Sequence, residues 1–66
     1  MIAFQVNDMT CGHCVSIVTK AVKSVDEGAA VAIDLASHRV EIEPAAANAE
    51  QLSDAIRDAG YTPVPA

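Results

Sequence analysis

The hydropathy period of this chain switches repeatedly along its 66 residues, and few folds accept that order of switches. Ile2, Phe4 and Val6 alternate with Ala3, Gln5 and Asn7, the period-two pattern of a half-buried strand. Asn7 to Gly12 breaks the alternation and reads as a loop. From Cys14 the period lengthens: Cys14, Ile17, Val18, Ala21, Val22 and Val25 recur at spacings of three and four, one apolar stripe on a helix. Ser16, Thr19, Lys20 and Lys23 lie off that stripe, and Gly28 is placed to end the helix or the turn after it. Val31, Ile33 and Leu35 alternate again, as do Val40 and Ile42, with Ala36, Ser37 and His38 as a hairpin connection between them. Pro44 ends the second of these strands because proline cannot donate to the ladder. Asn48 and Gln51 have capping-box spacing, and Ala49, Leu52, Ile56 and Ala59 mark the inner face of a second helix that Gly60 stops. Tyr61 to Val64 is expected to form a short edge strand, where Pro63 is tolerated.

The order strand, helix, strand, strand, helix, strand specifies an α+β chain of ferredoxin-like βαββαβ type. A four-stranded antiparallel sheet carries two helices on one face, with residues 1–66 as a single domain. Because successive elements run up and down in turn, the first loop, the hairpin near His38 and the loop before Tyr61 are expected at the same end of the sheet. A domain of this size buries only about 60% of its unfolded surface. Phe4 and Tyr61 are its only aromatic residues, so the core must come from Val, Ile, Leu and Ala. Nine acids against four bases give a formal net charge of −5, which argues against nucleic-acid binding. No stretch approaches the ~20 apolar residues of a membrane helix, and the N-terminus lacks the basic and apolar regions of a signal peptide. A cytoplasmic location is therefore expected, and in a reducing compartment two closely spaced cysteines indicate a metal or redox site rather than a disulfide framework.

The chemistry is concentrated in Asp8-Met9-Thr10-Cys11-Gly12-His13-Cys14. Cys11 falls in the loop and Cys14 in the first helical turn, where free N–H groups and the positive end of the helix dipole favour thiolate over thiol. Gly12 lets the backbone turn between them. Two facing thiolates bind a soft ion, and soft thiolates select copper(I). Closed zinc sites take four ligands, or three and water, and only two thiolates are assured here. A two-thiolate site stays open to an incoming third thiolate, so a partner's cysteines are able to take the metal stepwise. It also allows a chain that is monomeric without metal to form metal-bridged dimers or clusters.

Met9-x-Cys11-x-x-Cys14 after the first strand, the element order, and Asp58-Ala59-Gly60-Tyr61 before the last strand resemble the heavy-metal-associated domain family. The resemblance covers essentially the whole chain and is of the bacterial copper-chaperone type. It implies Cys11 and Cys14 as metal ligands, Met9 as a core residue beneath the loop, and Tyr61 as the aromatic residue close to the metal. It also implies Cu(I) as cargo and a copper-transporting P-type ATPase metal-binding domain as the recipient. The function expected from it is non-enzymatic: a chaperone passing Cu(I) by ligand exchange. Asp8 departs from the family's usual glycine and adds a carboxylate that favours a harder ion. Thr10 pulls the other way, because zinc- and cadmium-transporting relatives often place an acid there.

Other readings remain. The same pattern suits an N-terminal domain of a P-type ATPase, or a zinc, cadmium or mercury carrier. Cys-Gly-His-Cys is also the active-site sequence of disulfide-isomerase-type thioredoxin folds, but no tryptophan precedes Cys11 and the element order differs. Two inert buried thiols are the plainest alternative. His13 is either a solvated loop residue or an added ligand or tuning group. His38 reads as a solvent-facing turn residue, with a minor ligand role open in an oligomer. Lys20 and Lys23 form either a solvated face or a docking patch that steers encounter with an acidic partner.

Overall fold

The computed structural model describes all 66 residues. The elements are β1 (Ile2–Gln5), α1 (Gly12–Val25), β2 (Ala30–Asp34), β3 (Arg39–Glu43), α2 (Ala49–Asp58) and β4 (Val64–Pro65). They form one four-stranded sheet in the order β2-β3-β1-β4, and every pairing is antiparallel. This is the split βαββαβ arrangement expected from the periodicities. β1 runs down the centre, with Phe4 opposite Val40 on β3 and opposite Pro65 on β4.

The core follows from the two periods. Phe4, Val40 and Ile42 face inward from the sheet, and Val18, Val22, Leu52 and Ile56 meet them from the helices. The core cluster has ten buried residues, seven of them Val, Leu or Ile, and each of those contributes about 1.5–3 kcal/mol relative to exposure. The helix faces are rotated slightly from the sequence expectation. Val25 is half exposed, because it is the last residue of α1 and the chain turns away at Asp26. On α2 the buried set is Leu52, Ala55 and Ile56, whereas Ala49 in the first turn is exposed.

Asn48 and Gln51 form the reciprocal capping box, with bonds of 2.9 and 3.0 Å. Gly60 adopts φ +98 and closes α2 as expected. Of the two places offered for Gly28, it takes the turn after the helix, closed by the Ala29 N–H on the Asp26 carbonyl at 3.0 Å. α1 ends at its C-cap, Asp26, and a Cβ at Gly28 would lie 3.0 Å from that of Ala45, so the glycine permits a close approach of two loops. The last strand is shorter and later than 61–64. The Tyr61 N–H bonds back to Ile56 and the Thr62 N–H is taken by Asp8, so ladder pairing begins only at Val64.

One buried charge has no counterpart in the sequence reading. Asp26, 4% exposed, accepts the N–H groups of Ala45, Ala46 and Ala47 on Oδ2 at 2.8, 2.9 and 3.0 Å. It ties the end of α1 to the segment leading into α2. The donated bonds, those from Ala46 and Ala47 foremost, hold its carboxyl below the usual 3.8.

Candidate metal site

The loop after β1 is built from the core outward. Val6 and Met9 are both fully buried, and the Met9 N–H donates to the Val6 carbonyl at 3.2 Å. Burial of Met9 agrees with its expected place in the core and keeps its thioether away from solvent. Thr10 and Cys11 follow at the surface. Cys11 is the N-cap of α1, with extended backbone (φ −151, ψ 169) and no side-chain cap, while its carbonyl accepts the Val15 N–H. The first N–H groups of the helix are therefore left to interact with negative charge at the sulfurs.

Both cysteines are free thiols. Their sulfurs lie 3.4 Å apart, in contact but well beyond the ~2.05 Å of a disulfide. Cys11 is exposed and Cys14 half-buried. The Cys14 thiol is lowered from 9.0 to about 7. The largest cause is the Tyr61 hydroxyl as donor to the Cys14 sulfur, followed by the Thr10 backbone and the Cys11 thiol. Donating to the Cys14 sulfur favours the neutral hydroxyl and, with burial and then the nearby thiols, pushes Tyr61 up to about 12.

The three loops meet at one end of the sheet, as the element count requires. Tyr61 reaches Cys14 from the loop before β4. The Asp8 carboxylate accepts the Thr62 N–H on Oδ1 at 3.2 Å and so ties the first loop to that one. From the β2–β3 turn, the His38 ring bonds the Met9 carbonyl at 2.9 Å. This corrects the solvent-facing reading of His38: the ring is partly buried against the metal loop. His13 is exposed, and no third His, Cys, Asp or Glu joins the two thiols in one metal-holding group. Lys20 and Lys23 are exposed on α1. They are the two basic side chains without an ion pair, since Arg39 binds Glu41 and Arg57 binds Asp54.

Two roles escaped the sequence reading. The His38 and Asp8 hydrogen bonds join residues 29 and 54 positions apart, and only the closed sheet shows them. The glycine-to-aspartate departure at position 8 was the one available signal.

An open thiol pair at a helix N-terminus, on a split βαββαβ frame, defines a class of small dithiol domains. The sequence profile of the heavy-metal-associated domain matches residues 3–62, and the chain belongs to that family. It is 40% identical over 57 residues to a COP-associated protein of Helicobacter felis, covering 85% of this chain and 86% of the relative. It is 35% identical over 60 residues to the cation-transporting ATPase HMA5 of Oryza sativa subsp. japonica, covering 88% of this chain but 6% of that protein. Among solved structures, the copper chaperone Atx1 from Synechocystis PCC6803 superposes with a TM-score of 0.91. It shares 41% identity, with 96% of this chain and 98% of that one covered. The resemblance is thus to small copper chaperones of bacteria.

Proposed function

We propose that this chain, acting as one heavy-metal-associated domain over residues 1–66, is a cytoplasmic copper(I) chaperone. Cys11 and Cys14 hold one Cu(I) and pass it by thiolate exchange to the matching domain of a copper-transporting P-type ATPase. The observation that carries this reading is the thiol pair itself, 3.4 Å apart, with Cys14 at about 7 and no third ligand beside it. With Cys14 lowered to about 7, its thiolate is within reach at neutral pH, the form that binds a soft metal. Two sulfurs on opposite sides of one ion stand farther apart than the 3.4 Å seen here. Cys11 therefore swings outward on loading, and as an exposed, uncapped N-cap it is free to do so.

No carboxylate, imidazole or further thiol gathers with the two sulfurs into a metal-holding group, which supports copper over zinc. The role is that of a carrier rather than an enzyme, a reading supported by the family and by the copper-chaperone relatives. The exposed face left by two-coordinate binding receives the partner's thiolate, and in its absence a second copy, giving metal-bridged dimers. His13 acts as a solvated neighbour that tunes the site. Lys20 and Lys23, unpaired on an acidic chain, steer the approach of an acidic partner domain.

A second reading is favoured by the 35% identity to a segment of a cation-transporting ATPase: the same site serving as a receiving domain. The test is an anaerobic copper(I) titration of the reduced chain against a competing colorimetric chelator, with zinc in parallel. One-to-one copper uptake that survives competition, with weak zinc binding, is expected. Zinc winning, or neither metal competing, overturns the assignment.

A further inference from the structure

His38 sits in the left-handed region at φ +55, the one non-glycine residue of the chain to do so. Glycine adopts that conformation without a Cβ penalty, and histidine is among the side chains that tolerate it, so what sets His38 apart is the partner its ring finds. Its Nδ1 lies 2.9 Å from the Met9 carbonyl oxygen, and since a carbonyl only accepts, Nδ1 carries the proton. The turn that presents the ring is itself anchored. The Val6 N–H donates to the His38 carbonyl at 2.8 Å, and Gln5 Nε2 donates to the Ser37 carbonyl at 2.7 Å. Met9 is thereby held at three points: its side chain in the core, its N–H on Val6, and its carbonyl on His38. On the other flank, the Asp8 carboxylate holds the Thr62 N–H at 3.2 Å, beside the tyrosine that reaches Cys14.

We propose that His38 and Asp8 are positioning residues of the metal loop, two straps from separate loops that keep the Met9–Thr10–Cys11 backbone in its metal-receiving shape between one cargo ion and the next. The role follows from exchange chemistry and rests on the carrier reading above. A bound ion cross-links Cys11 to Cys14, and that cross-link disappears on hand-off. A loop held by the metal alone would then relax and have to be reordered at each loading, whereas a strapped loop binds without that ordering cost. The straps touch peptide groups rather than sulfur, so they do not compete with the metal or with an incoming thiolate. They act as the hydrogen-bonded outer shell of a metal site does, by orienting its ligands.

The ring and the turn are separable by substitution. His38→Gly keeps the left-handed backbone and removes the ring. His38→Asn keeps both the left-handed preference and an N–H on the atom bonded to Cγ. Asp8→Ala removes the second strap, and Asp8→Asn leaves an acceptor oxygen. Copper(I) affinity by chelator competition is expected to fall about 10-fold in His38→Gly, and to return to within about twofold of the parent in His38→Asn. A smaller loss is expected in Asp8→Ala, recovered in Asp8→Asn. In the metal-free chains, the Met9 amide proton, bonded to the Val6 carbonyl, exchanges about 10-fold faster in His38→Gly, while those of β1 and β3 are unchanged. Parent-like affinity and exchange in His38→Gly overturn the proposal, as does His38→Asn behaving like His38→Gly. A parent chain that takes up no copper(I) overturns the carrier reading alone. Exchange in the metal-free chains then still decides the straps, faster in His38→Gly for them and unchanged against them.

Discussion

The two ends of this sheet are made of the same material, loops joined to helix termini by side chain–backbone hydrogen bonds, and they are finished in opposite ways. At one end Asp26 spends a buried carboxylate on three consecutive N–H groups, and the first helix is locked to the approach of the second. At the other end the start of α1 is left without a side-chain cap, and two thiols stand where a cap would be. The closed end satisfies every group it buries; the open end keeps its N–H groups and sulfurs for something that arrives from outside. The difference teaches that in so small a domain a reactive terminus is tolerated because the opposite terminus is sealed.

The comparison is broken most directly at the sulfurs. Cys14→Ser is expected to weaken copper(I) binding on the order of 100-fold or more, since it removes one of two ligands. The thermal midpoint should barely move, and a large drop measured by circular dichroism would mean that the open end also holds the fold together. Asp26→Ala is the mirror experiment. Three donors lose their acceptor, and the midpoint should fall on the order of 10 °C with the copper stoichiometry of the folded chain unchanged.

The pH dependence of the two ends differs in the same sense. Cys14 ionises at about 7 in the folded chain against a usual 9.0. Its contribution to stability is therefore complete above pH 9 and is lost as pH falls through 7. Asp26 is held below 3.8, so its contribution is intact above that value and disappears only as pH falls through the lower folded pKa. Tyr61→Phe sharpens this contrast. Removal of the hydroxyl should move the Cys14 alkylation profile from about 7 toward 9.0 and leave acid unfolding unaltered. A profile that stays near 7 would assign the shift to the helix terminus instead. The smallest effect is expected from reversing charge at Lys20 and Lys23. Metal transfer to an acidic partner domain should slow a few-fold at low salt and converge with the parent at high salt, as rim charges act mainly on association rate.

Much of the frame was legible from period alone. The six elements, the helix end at Gly60 and the Asn48–Gln51 box depend on neighbours within a few positions, and a linear reading captures such relations. The cysteine loop was legible for the same reason, because Cys11 and Cys14 sit three apart across one helix start. What failed had longer reach. Val25 carries the right spacing but lies where the chain leaves the core, and the last strand slipped to Val64–Pro65 because Asp8 takes the Thr62 N–H. His38 reads as an ordinary turn residue until the sheet brings it against Met9.

The sequence by itself therefore determined the order of elements, the apolar faces and the thiol pair at a helix start, since each is set by contacts one or two turns away. Only the tertiary structure decided how that pair is tuned and held. Tyr61 on Cys14, His38 on Met9 and Asp8 on Thr62 join residues far apart along the chain. Closure of the sheet sets the distances between such groups, and no local pattern encodes them.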